Sequence, residues 1–209
     1  MKKSLLLTVL LALLCLVVVT GCGRRFARIG GRKSAIENAV RKEEVKGNVV
    51  GNYLRNNFGN SNVVVVCSAG TSKSTLGKTF LKALEKNFNR YLGVVELKED
   101  NWTGEGASLK ELEEALKEHE GVQLIIFYGG TAPANFEKLN TNAVFFFFEQ
   151  GSCTNEQIRK GIKSGKVIGL LIGSPNAPRA NDPVENDDRE AFHRRYIIVD
   201  RDNLWNIKD

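Results

Sequence analysis

Val63-Val64-Val65-Val66-Cys67, then Ser68-Ala69-Gly70-Thr71-Ser72-Lys73-Ser74, then Thr75-Leu76-Gly77-Lys78-Thr79-Phe80-Leu81-Lys82-Ala83-Leu84, decides how this chain folds. The apolar run does not alternate with polar residues. A β-branched run of that kind is a strand covered on both faces. The hydroxyl-rich, glycine-containing stretch ends it. Leu76, Phe80, Leu84 and Phe88 then recur at every fourth position, which predicts a helix with one apolar stripe over 75–87.

Working outward, the same unit repeats. Apolar runs at 93–97, 122–128, 143–148 and 167–172 read as further strands, and Tyr196-Ile197-Ile198-Val199 as a short last one. Between them, Leu109, Leu112 and Leu116 mark a helix with Ser108 and Glu111 as a capping box. A short helix is expected over 134–139, and another begins at Thr154 and runs to 163. Val50, Leu54 and Phe58 give a helix ahead of the first strand. Strands alternating with helices predict an α/β fold. The expectation is a three-layer α/β/α sandwich around a mostly parallel, doubly wound sheet of about five strands. Residues 173–190 read as a polar loop.

Ligands of such sheets sit beyond the carboxyl ends of the strands, where the strand order reverses. That rule selects Ser68, Thr71, Ser72 and Ser74 after the first strand and Asn101, beside Asp100 and Trp102, after the second. It selects Thr131 after Gly129-Gly130, and Glu149 after the fourth strand. The candidate ligand-binding set is Ser68, Thr71, Ser72, Ser74, Asn101, Thr131 and Glu149.

Three resemblances bear on that face. From 47 to 175 the order is Gly47-Asn48-Val49-Val50-Gly51-Asn52-Tyr53-Leu54, the valine strand, the hydroxyl loop, Phe80-Leu81-Lys82-Ala83-Leu84, and Glu96-Leu97-Lys98-Glu99-Asp100. This resembles one lobe of type I periplasmic binding proteins. The resemblance implies a non-enzymatic domain that binds a small polar ligand or a protein partner through Ser68, Thr71, Ser72 and Thr131. That family has two lobes, and this chain has length for one. Ser68 to Thr75 also resembles the phosphate loop of flavodoxins. It implies the alternative, an enzyme with FMN or a nucleotide at 68–75. Lys73-Ser74-Thr75-Leu76-Gly77-Lys78-Thr79 is similar to the deviant phosphate loop of partitioning-type ATPases, but Ser74 and Thr75 replace glycines that let backbone amides wrap phosphate.

The amino terminus carries a second message. Lys2-Lys3 precedes an apolar run from Leu5 to Val19, and Val19-Thr20-Gly21-Cys22 closes it. A cationic start, an apolar stretch and small residues at the end are the parts of a secretory signal. Val19 to Cys22 resembles the lipobox of bacterial lipoproteins. The resemblance implies a signal peptide over 1–21, cleavage before Cys22 and acyl chains on it. At ~0.8 kcal/mol per buried methylene, two or three chains make a stable anchor. Gly23 stands where an aspartate would favour inner-membrane retention. The expected location is the cell envelope, on the outer membrane facing the periplasm in a Gram-negative host. Residues 22–46 then form a lipidated, basic linker and helix, and 47–209 one domain.

Charge and cysteines complete the reading. Loss of Lys2 and Lys3 takes the formal charge from +6 to +4. Arg24, Arg25, Arg28, Arg32 and Lys33 suit either a solvated tether or attraction to anionic headgroups. No aromatic residues interleave them, so nucleic acid is not an expected partner. Cys67 and Cys153 pair or stay as two buried thiols. One strand between theirs would put them beyond the ~7 Å reach of a bridge. His119 and His193 lack metal-ligand spacing. Asp182, Asp187 and Asp188 lack an EF-hand's spacing, so no metal and no catalytic residue is expected.

Overall fold

A computed structural model describes residues 34–97, 109–129, 131–148, 153–180 and 182–207. The signal, Cys22, Ser108, Asn101, Trp102 and Glu149 lie outside the described residues. The chain divides into Met1–Ala39 and a compact unit, Val40–Asp209. Of the first, residues 34–39 are described, and they are helical. No helix among the described residues is long and apolar enough to cross a membrane.

The compact unit is built on one six-stranded sheet. Its strands are β1 (Val63–Ser68), β2 (Tyr91–Leu97), β3 (Leu124–Tyr128), β4 (Val144–Phe148), β5 (Val167–Gly173) and β6 (Tyr196–Val199), in the order β2-β1-β3-β4-β5-β6. The first five are parallel, and β6 pairs antiparallel with β5, Gly173 opposite Tyr196. The doubly wound α/β sandwich expected from the sequence is present, and the short last strand read at Tyr196–Val199 joins the sheet as its sixth. Its direction has a local cause. The helix before β6 ends at Arg195, whose carbonyl accepts from Ser174 N at 2.8 Å. The chain thus re-enters the sheet at the end it left, and a strand starting there must run back.

Among the described residues, five helices occur: α1 over 34–58, α2 (Thr75–Glu85), α3 (Leu109–Leu116), α4 (Asn155–Ser164) and α5 (Asp188–Arg195); α1 from position 40 on and the other four cover the sheet of the compact unit. Side chains alternate across a strand, and the core divides accordingly. Val63, Val65, Leu124, Ile126, Phe146 and Phe148 face α1, α2 and α5. Val64, Val66, Ile125, Phe127, Phe145 and Phe147 face α3, α4 and Phe136. The four-phenylalanine run of β4 therefore feeds both layers at once.

α1 is continuous through position 47, and Val45 is 1% exposed in the core with Val50 and Leu54. The domain therefore begins earlier than the residue 47 read from the sequence. Gly47 and Gly51 lie one turn apart against α2. A Cβ at Gly47 would stand 2.6 Å from Phe80 O, so the α1–α2 approach requires that glycine, while one at Gly51 would meet the side chain of Asn87, beyond α2, at 2.5 Å.

The helix expected over 134–139 is only a 3-10 turn, Phe136–Lys138. Its bonds run to the third residue back, as in Phe136 N to Pro133 O at 3.2 Å and Leu139 N to Phe136 O at 3.1 Å. Six residues behind a proline are too few to nucleate an α-helix. The cap at Thr154 is a full capping box with Gln157. Cys67 and Cys153 are buried free thiols, and β3 lies between β1 and β4. Cys153 donates to Pro133 O at 3.3 Å.

Candidate functional site

Strand order reverses between β1 and β3, because β1 connects to β2 on one side and β2 crosses back to β3 on the other. The loop leaving β1 stands at that point. Gly70 takes a left-handed conformation, φ 80°, which lets the chain turn directly into a 3-10 turn over Thr71–Lys73. Ser74 then caps α2. Its Oγ accepts from Gly77 N at 3.0 Å and donates to Thr71 O at 2.9 Å.

The centre of this loop is a residue outside the candidate set. Glu96, next to last in β2, accepts from Ser72 N with Oε1 at 2.7 Å. The Ser72 N bond holds the Glu96 pKa below its ordinary 4.5, against the opposing effect of desolvation, and the charge of Lys73 acts in the same direction as the bond. In the same loop, the hydroxyls of Ser68 and Thr71 are 3.0 Å apart.

Structure therefore brings Ser68, Thr71, Ser72 and Ser74 together, and gives them different jobs. Ser68 and Thr71 bond each other. Ser72 holds it, and Ser74 holds the helix. Thr131 is fully buried; its hydroxyl donates to Val66 O at 3.1 Å and approaches Tyr128 O at 3.3 Å, fastening β1 to β3. It is a clip under the loop, not part of its surface. The alternation of β2 placed Glu96 beside β1, but only the register of Glu96 with Cys67 brings it under Ser72.

The same geometry bears on the phosphate readings. In a flavin or nucleotide loop, free backbone amides face the phosphate. Here the Ser72 amide already serves the Glu96 carboxylate, whose charge would repel a phosphate.

Further along the same edge, α1 and α5 add charged groups. Tyr128 Oη donates to Glu43 Oε2 at 2.7 Å, and Glu43 Oε1 pairs with Lys46 Nζ at 2.7 Å. Lys46 stands 5.4 Å from the Tyr196 ring centre. The aspartates of the 173–190 loop are occupied. Asp182 accepts from Arg179 N, Asp187 caps α5, and Asp188 pairs with Arg41 at 2.6 Å. No cluster suited to a metal ion occurs among the described residues.

Glu96 gives a pH prediction. A carboxylate with a depressed folded pKa contributes stability above its unfolded value of 4.5, and that contribution disappears as pH falls through the folded value. Glu96→Gln should flatten the acid limb of a plot of melting temperature against pH between 5 and 3. An unchanged limb would mean that other carboxylates carry the acid sensitivity.

No family model matches the sequence, and no curated protein matches it. Similar solved structures include a carbohydrate transporter from Acidothermus cellulolyticus 11B in complex with myo-inositol. It is 15% identical, with 79% of this chain and 59% of that one covered, at a TM-score of 0.54. Another is AraP, an arabinose-binding protein from Geobacillus stearothermophilus, at 16% identity, 80% and 63% coverage and a TM-score of 0.52. The matches span about three fifths of those longer chains. At such identities the likeness is one of fold, and the fold is a mostly parallel α/β sandwich of the type I periplasmic-binding kind.

Proposed function

We propose that this chain is a non-enzymatic binding domain for a small polyhydroxylated ligand, tethered to a membrane of the cell envelope by lipid on Cys22. The observation that carries the ligand class is the Glu96 carboxylate, held against the β1 loop by Ser72 N, in a loop whose Ser68 and Thr71 hydroxyls bond each other. A fixed carboxylate accepts from sugar or cyclitol hydroxyls, and neighbouring hydroxyls can donate or accept in turn. The two solved structures above, titled for arabinose and for a carbohydrate transporter with myo-inositol, support the class. Lipid anchoring rests on Val19-Thr20-Gly21-Cys22 alone.

Melting of the full chain in detergent tests the ligand class. A ligand at a hundred times its dissociation constant adds ~2.7 kcal/mol. Arabinose, myo-inositol or a related polyol should raise the melting temperature, FMN and ATP should not, and Glu96→Ala should lose the sugar response. A response to FMN with none to any polyol would overturn the reading. Intact mass of the membrane-extracted chain tests the anchor: it should begin at Cys22 and carry acyl groups.

A further inference from the structure

The solvent face of α2 is cationic. Lys78, Lys82 and Lys86, the last of them its C-cap, are exposed and recur at every fourth position. That spacing puts them on one side, about 6 Å apart along the axis. Phe80, Leu81 and Leu84 occupy the other side, in the core. Exposed Lys73 precedes the row and exposed Arg90 follows it. Arg55 of α1 widens the row at its far end. A Cβ at Gly59 would stand 3.0 Å from Arg55 Cγ, and Gly59 O accepts from Asn89 N, next to Arg90.

Neighbouring acids do not neutralise the row. Lys73 and Glu96 interact, so those two charges offset each other. On α1, Glu43 and Glu44 are paired with Lys46 and Arg41. Among the described residues, Lys78, Lys82, Lys86, Arg90 and Arg55 then stand against Glu85, exposed on the flank of α2. None of these side chains has an ion-pair or hydrogen-bond partner among the described residues. The pattern also works against the helix. α2 has no acid in its first turn, where the dipole favours one, and like charges four apart repel. Mixed charges would solvate the helix at lower cost. Aromatic side chains, which anchor protein hot spots and stack on bases, are absent from the row. Exposed Trp205 belongs to the turn Leu204–Asn206, whose Leu204 packs in the opposite layer. Lysines are point charges on flexible stems, and a row of them suits a surface of many equivalent anions rather than one shaped anion.

We propose that the outward face of α2 rests on an anionic lipid surface, with Lys78, Lys82 and Lys86 among the headgroups and Arg55 and Arg90 at one end. This goes beyond the tether at Cys22, because it assigns the face of the domain that meets the membrane. The Glu96 loop, which leads into α2, then stands beside that surface. Neither the lipid on Cys22 nor the polyol reading is needed for the contact.

The full chain, mixed with vesicles, can be labelled briefly with a membrane-impermeant amine-acylating reagent and each lysine read by peptide mass spectrometry. On equal parts of phosphatidylglycerol and phosphatidylcholine, Lys78, Lys82 and Lys86 should react about fivefold more slowly than on phosphatidylcholine alone, the effect of one headgroup contact per lysine. Lys110 and Lys117 of α3 and Lys160 and Lys163 of α4, exposed on the opposite layer, should not change. In about 1 M sodium chloride, where the screening length is ~3 Å, the protection should vanish. Lys82→Glu should remove it from Lys78 and Lys86, and Lys117→Glu should not. Flotation reads the tether separately: a lipidated chain floats with phosphatidylcholine vesicles too, and the lysine comparison holds whether it does or not. Equal labelling of the row on the two vesicles overturns the proposal. So does protection found in native membranes but not on the anionic vesicles, which would assign the row to an acidic protein.

Discussion

Alanine at position 80 is expected to lower the unfolding free energy by about 3–5 kcal/mol, the range for emptying a buried phenylalanine site. Phe80 is fully buried, stacked on Tyr128 with ring centres 4.0 Å apart and edge-on to Phe148 at 4.7 Å. Its backbone carbonyl also lies against Gly47. The ring thus fills the space where α1, α2 and the ends of β3 and β4 meet. Its surroundings cannot collapse inward, because Tyr128 is tied to Glu43 at 2.7 Å and the glycine contact already sets the helix spacing. Urea unfolding followed by far-ultraviolet circular dichroism should show the midpoint falling with the slope unchanged. A loss below about 1 kcal/mol would mean that α1 and α2 close over the gap, and that the glycine contacts do not fix their separation.

A second large effect is expected at Gly77, and its sign runs against helix propensity. In an open helix, glycine to alanine is favourable by roughly 0.5–1 kcal/mol. At Gly77 a Cβ would stand 2.0 Å from Thr71 O, a backbone atom. The 3-10 turn must move away, and with it the bonds from Ser74 Oγ to Thr71 O and from Ser72 N to Glu96. Gly77→Ala should therefore destabilise by about 3 kcal/mol, the upper part of the range for overpacking. It should also remove any polyol response, since the carboxylate loses its seat. Thermal unfolding and ligand titration on the same variant check both halves. A variant that is stable but binds nothing would show that the loop can move without cost. A variant that still binds normally would take Glu96 out of the site.

These two positions show how unevenly the sequence discloses the molecule. The spacing of Leu76, Phe80 and Leu84 identifies α2 without help from the rest of the chain, though Leu76 itself is 39% exposed and the buried face runs through Phe80, Leu81 and Leu84. It does not identify Gly77 as a contact, because Thr71 O reaches that position only after the loop has folded back. The capping box at Thr154 and Gln157 is likewise local and legible. The 134–139 segment reads as a short helix but forms only a 3-10 turn, because six residues behind Pro133 do not nucleate an α-helix. Glu96 escaped the candidate set because it lies inside a strand, where the rule about strand ends does not look.

What the sequence determined by itself is the alternation of strands and helices, the two-sided burial of the central strands and the cap at Thr154. Those depend on neighbours within about four positions along the chain, where periodicity and capping chemistry act. Tertiary structure alone decided the antiparallel entry of β6, the seat of Glu96 under Ser72, the inward turn of Thr131 and the burial of Arg195 against Pro183 O. Each depends on groups brought together from distant parts of the chain, by strand register or by a helix end meeting a loop, and no local pattern encodes such a meeting.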